Sequence, residues 1–130
     1  MLFNDEKTAN AILREKNPEK VKALGRTVAR FDPLVWISRS MFLVQQGLRY
    51  KFRQNQEMRD IMLGIEGRTL VEAAHYDRVW GVGMHETDTE IVFVDRWRGQ
   101  NLLGQGLMNV PAELLFKESC RGRRTKKRWI

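Results

Sequence analysis

Between Glu72 and Gly83 the chain reads EAAHYDRVWGVG, which sets two acids (Glu72, Asp77) beside two polar rings (His75, Tyr76), an indole (Trp80) and two glycines (Gly81, Gly83). A carboxylate beside an indole is costly to bury unless it is paired or used, and glycines let a backbone come close to a ligand. Cleaving a glycosidic bond calls for an acid to protonate the leaving group and a base or nucleophile opposite it. Glu72 and Asp77 are the only acids embedded among apolar residues. Trp36, Trp80 and Trp97 could stack on a flat base, while Lys22 and Arg26, four apart and therefore on one helix face, could hold a phosphate. The same stretch also reads as a turn between two short strands, with Asp77 and Gly81 chosen for turn geometry. Local composition leaves both readings open.

Other chemistries lack their residues. The chain has no Gly-x-Ser-x-Gly elbow and no cysteine pair, and Gly104-Gln105-Gly106 lacks the further glycine and preceding strand of a phosphate loop. His75 and His85 are too far apart in the chain for a short metal motif and read as surface residues, so no metal or cofactor is expected. Cys120 has no evident base beside it and is a poor nucleophile candidate.

The elements that position these residues are mostly helices. Residues 3–16 form one apolar side from Phe3, Ala9, Ile12 and Leu13, with Asn4 or Asp5 as cap. Asn17-Pro18 starts a second helix that carries Lys22 and Arg26, and Asp32-Pro33 starts a third. In that third helix, which runs to about Asn55, Leu34, Ile37, Met41, Val44, Leu48 and Phe52 recur at spacings of three and four, the stripe of a helix buried on one side. A short helix follows over 56–63. Then 69–73, 79–82 and 91–94 read as short strands, with a polar, mobile loop HETDTE before the last. Trp97–Asn101 reads as a turn, and a final helix starts near Leu102, with Pro111 either kinking it or starting another capped by Asn109. The expected fold class is α+β, α-rich, with several helices around a small sheet.

The 130 residues carry a net charge of +7, but the last ten, RGRRTKKRWI, hold six basic and no acidic side chains. Residues 1–120 are nearly neutral, with 17 basic and 16 acidic groups. The expectation is one domain over 1–120 and a basic, flexible tail over 121–130 that can touch nucleic acid without sequence preference. No apolar window approaches the length of a membrane span, the start of the chain does not read as a signal peptide, and a single cysteine fits a reducing compartment. A cytoplasmic protein is expected.

Four blocks, KALGRTVARFDPLVW (22–36), KFRQN (51–55), LVEAAHYDRVWGVG (70–83) and WRGQNLLGQGLM (97–108), resemble the NADAR, or YbiA-like, family in content and order. The resemblance implies a YbiA-like fold and N-glycosidase activity on a ribosylated base. That base would belong either to an early phosphorylated riboflavin intermediate, a ribosylamino-pyrimidine phosphate, or to ADP-ribosylated guanine in nucleic acid. Glu72 and Asp77 would be the catalytic acids, and Lys22, Arg26, Trp36, Trp80, Gly81, Trp97 and Asn101 would bind substrate. Lys22 could instead attack the sugar as an amine, which requires a depressed pKa. Two departures stand out. The family's upstream S-N-F and E-x-x-x-x-x-x-K segment, whose Glu belongs to its active site, has no counterpart here, so the domain reads as N-terminally truncated. Pro111 also replaces an Arg. Three explanations are open: the true start lies upstream, a second chain completes the pocket, or the domain is an inactive remnant; the alternative to catalysis is a module that holds ADP-ribose or a nucleotide without cleaving it.

Overall fold

The computed structural model describes residues 2–65 and 67–114; the basic tail and Cys120 lie outside the described residues. The helices are α1 (Glu6–Arg14), α2 (Pro18–Gly25), α3 (Pro33–Gln54), α4 (Gln56–Gly64) and α5 (Leu102–Met108), with short 3-10 turns at Thr89–Val92 and Val94–Arg96. Past a break at Asn109 the chain is helical again over 110–114. The chain divides after Ser40 into two compact units.

In the first unit the helix starts follow their cap residues. Asp5 Oδ1 accepts the Thr8 N–H at 3.0 Å, Asn17 Oδ1 accepts those of Glu19 and Lys20 at 2.9 and 3.3 Å, and Asp32 Oδ1 accepts those of Leu34 and Val35 at 2.8 and 3.3 Å. Each bond satisfies an amide that the first helical turn leaves without a partner. Proline occupies the first position of α2 and of α3, where its missing N–H costs nothing.

The second unit is built on a core of Phe52, Met62, Val110 and Leu114, flanked by Leu48, Met58, Leu63, Ile65, Leu70 and Leu107. The stripe of α3 therefore splits in use: its C-terminal end packs, whereas Leu34 and Ile37 remain 78% and 72% exposed. The expectation of a helix buried along its whole length holds only for that end. Arg49 joins α3 to the helical turn at 110–114 by a forked ion pair, Nε to Glu113 Oε2 at 2.6 Å and Nη2 to Oε1 at 2.8 Å. That pairing, with the Arg49 N–H groups first among its causes, holds the Glu113 carboxyl below the usual carboxylate range.

The expected small sheet is absent: no strand forms among the described residues, and the α+β assignment is corrected to a helical one. The three strand-like runs are short, and their backbone groups are satisfied by turns rather than by a ladder. Ile91 and Val92 enter a 3-10 turn capped by Asp88, whose carboxylate accepts the Glu90 N–H at 3.0 Å. The polar loop before them is a hydrogen-bonded turn, with the Asp88 N–H donating to the His85 carbonyl at 3.0 Å.

Candidate functional site

In the first unit the residues before α1, the end of α2, the segment after it and the first turn of α3 surround an apolar cleft of about 630 Å³, lined by Phe3, Val28, Phe31 and Trp36, with Lys22 and Arg26 also on its wall. The aromatic rings form a chain, with centroids 5.2 Å apart for Phe3 and Phe31 and 6.4 Å for Phe31 and Trp36, both tilted. Three of the expected ligand residues, Lys22, Arg26 and Trp36, are thus brought to one cavity. Flat apolar walls with a few convergent cations suit an aromatic ligand carrying an anionic group.

Asp5 closes one side of this unit. Besides capping α1, its second oxygen accepts the Ala29 N–H at 2.8 Å, and Arg30 Nη2 donates to the Asn4 carbonyl at 3.1 Å. The Ala29 and Thr8 bonds together pull the Asp5 pKa down to about 2. Nothing in the sequence signals that second bond, because a cap residue announces only its local partner.

In the second unit Glu72, Asp77, Trp80, Gly81 and Asn101 meet in one system of nested turns. The Glu72 carbonyl accepts the N–H groups of Ala74 and Val82, both at 2.9 Å, and the Asp77 carbonyl accepts that of Gly83 at 3.1 Å. Asp77 Oδ1 accepts the N–H groups of Val79 and Trp80 at 2.9 and 2.8 Å, so one oxygen of this carboxylate shapes the turn that presents the indole. The Glu72 side chain is half-buried and has no hydrogen-bond or ion-pair partner among the described residues. Of the two acids, Glu72 is the less committed to holding structure.

The segment 97–103 threads against that turn. Its N–H groups at Arg98, Gln100, Asn101, Leu102 and Leu103 donate to the carbonyls of Val82, Arg78, Gly81, Val79 and Trp80 at 2.9 to 3.2 Å. The Leu102 and Leu103 bonds satisfy the first amides of α5. So close a passage requires small residues. A side chain on Gly99 would strike the Gly81 carbonyl, one on Gly104 would strike the Leu70 carbonyl, and one on Gly81 would crowd the carbonyls of Asp77 and Glu72.

Asn101 is 1% exposed and has a left-handed backbone (φ 54°). Its Oδ1 accepts the Glu72 N–H at 3.0 Å, and its Nδ2 donates to the Leu70 carbonyl at 2.9 Å. Trp97 is half-buried, with its indole N–H donating to the Ile91 carbonyl at 2.8 Å. Both residues use their polar groups within the turn system. Among the described residues no group of three or more His, Cys, Asp or Glu is placed to share a metal ion, and no helix is long and apolar enough to cross a membrane.

A family model described as NADAR domain matches residues 1–115. The chain is 34% identical over 113 residues to an N-glycosidase of Acanthamoeba polyphaga mimivirus, a match covering 87% of this chain and 66% of the relative. It is 33% identical over 126 residues to protein irg-1 of Caenorhabditis elegans (95% and 59% covered). It is 29% identical over 116 residues to N-glycosidase YbiA of Escherichia coli (89% and 66%). The chain therefore spans somewhat less than two thirds of the length of these relatives.

Proposed function

The chain belongs to the NADAR domain family, and from that premise we propose that it acts as an N-glycosidase, hydrolysing the bond between a ribosyl carbon and a base nitrogen. Two of the relatives carry the name N-glycosidase. Water would add its hydroxyl to the anomeric carbon while the departing nitrogen takes a proton. The observation that carries this reading is the placement of Glu72: a half-buried carboxylate without a side-chain partner among the described residues, set in the turn system that also presents Trp80. In this reading Glu72 moves the proton or stabilises the oxocarbenium charge, and the Asp77 carboxylate adds negative charge beside the turn that presents Trp80. In the first unit, taken by itself, Lys22 and Arg26 suit a phosphate and Trp36 an aromatic ring. The substrate class is a ribosylated base bearing phosphate, either a ribosylamino-pyrimidine phosphate or ADP-ribosylated guanine.

One observation favours a second reading. Asp77 spends one oxygen on backbone amides, as a turn residue does, which suits a domain that holds a nucleotide without cleaving it.

Release of free base from the two substrates decides between the readings. Glu72→Gln should cut the rate by about 100- to 10,000-fold, the range for loss of a general acid or base, while leaving substrate binding near wild type. Asp77→Asn keeps an oxygen for the Val79 and Trp80 amides and removes the negative charge. A Glu72→Gln rate equal to wild type removes Glu72 from the chemistry. Tight binding with no base released from either substrate establishes the binding module.

A further inference from the structure

His75 and His85 are ten positions apart in the sequence, yet their imidazole centroids lie 5.9 Å apart, with the left-handed Gly83 (φ 67°) in the turn between them. Two imidazoles sharing one ion through metal–nitrogen bonds of about 2.0–2.1 Å place their centroids about 5–6.5 Å apart, depending on the angle at the metal. Both side chains are exposed, so an ion reaches them without crossing a buried layer.

The surroundings of each ring fit ligation. His85 Nδ1 lies 2.9 Å from the Thr87 hydroxyl oxygen, which leaves Nε2 as the nitrogen available to an ion. A hydroxyl that accepts from Nδ1–H is the kind of partner that fixes the tautomer of a ligating histidine. The Thr87 backbone N–H also lies 3.3 Å from Nδ1, the contact that the tautomer with its proton on Nε2 would accept. On loading, that proton transfers to Nδ1, and the long amide contact gives way to the bond donated to the hydroxyl. No net proton is lost. His75 packs edge-on against Tyr76, centroids 5.2 Å apart at 85°, which restrains its plane.

We propose that His75 and His85 form a two-imidazole site for a borderline divalent transition-metal ion, Cu²⁺, Ni²⁺ or Zn²⁺. Water completes the coordination, since no third ligand joins the pair among the described residues. Imidazole nitrogen suits these ions and not the hard cations Mg²⁺ and Ca²⁺. The ion clips the turn after Ala74 to the turn after Met84 and stiffens the segment that includes Asp77. This site is independent of the glycosidase reading.

The test is titration of the untagged full-length chain with each ion, followed through long-range proton–nitrogen correlations of the imidazole rings. The chain has only two histidines, so both rings can be assigned. Both should respond together and saturate at one equivalent, with Cu²⁺ bound more tightly than Ni²⁺ or Zn²⁺, and Mg²⁺ should leave them unchanged. His75→Ala and His85→Ala should each weaken binding by more than about tenfold, and Thr87→Val by about tenfold, the usual effect of removing an outer partner. Saturation of only one ring, unchanged affinity in either histidine variant, or no saturable binding at millimolar ion overturns the site. The wild-type ring data decide the matter even if a variant fails to fold.

Discussion

The Asn101 side chain holds Glu72 by its backbone: Oδ1 accepts the Glu72 N–H at 3.0 Å while Nδ2 donates to the Leu70 carbonyl two residues earlier at 2.9 Å. Asn101 comes from a different part of the chain, just before α5, and has a left-handed backbone that asparagine tolerates better than most residues. At 1% exposure its amide is committed to fixing the backbone on either side of Val71.

Asn101→Ala strands a backbone donor and a backbone acceptor, each worth about 1–3 kcal/mol when left unsatisfied in a buried place. The expected loss of stability is about 2–4 kcal/mol on that basis, read as a lower urea midpoint with an unchanged slope. Asn101→Asp should also destabilise, because it turns a carboxylate oxygen toward the Leu70 carbonyl.

Two glycines should respond in opposite directions to the same change. Gly104→Ala forces a methyl group into the Leu70 carbonyl and the Asn101 amide. It should destabilise by more than about 2 kcal/mol, since neither neighbour is the far end of a flexible chain. Gly47, inside α3, has nothing within 4 Å of an added Cβ, so Gly47→Ala should stabilise by about 0.5–1 kcal/mol through helix propensity. Thermal unfolding of the two variants side by side is the measurement.

Acid should loosen the first unit in a defined window. The folded pKa of Asp5 is about 2, below the ordinary value of 3.8, so the stability it contributes is complete above pH 4 and is lost as the pH falls through 2. In the second unit Glu113 is lowered by Arg49 and contributes there with the same sign. Asp5→Asn keeps the cap on Thr8 but cannot serve Ala29 as a carboxylate. The variant should therefore show a flatter decline in melting temperature between pH 4 and 2 than the wild type, and parallel curves would remove Asp5 from the account.

If the cleft of the first unit binds phosphate, Arg26→Ala should raise KM by about 10- to 100-fold, the equivalent of one hydrogen bond to a charged group, with kcat near wild type. Trp36→Ala should act on the aromatic part of the ligand in the same direction. A change confined to kcat would place Arg26 at the chemistry instead.

The helices and their starts were legible in the sequence because their signals are local: Asn17-Pro18 and Asp32-Pro33 mark the starts of α2 and α3, and the three-and-four spacing marks α3 itself. The family was legible in blocks such as LVEAAHYDRVWGVG. The sheet was misread because β-branched Ile91, Val92 and Val94 suit a strand only when a neighbouring strand is there to pair with. Here i→i+3 bonds such as Phe93 N–H to the Glu90 carbonyl at 2.9 Å satisfy the backbone instead. The approach of His75 to His85, and that of Asn101 to Glu72, are long-range consequences of turns, and residue spacing carries no trace of them.

The carbonyls of Val79 and Trp80 that receive the first amides of α5 tie two stretches of chain into one opening event. The first amides of the helix cannot exchange with solvent until they part from the Val79 and Trp80 carbonyls. The Leu102 and Leu103 amides should therefore take up deuterium at a common rate and form a single protected block. In such a block a substitution on the helix side alters how often Glu72 and Trp80 are exposed, so the tempo of the site is set as much by Gly104 and Asn101 as by the residues that would meet a ligand.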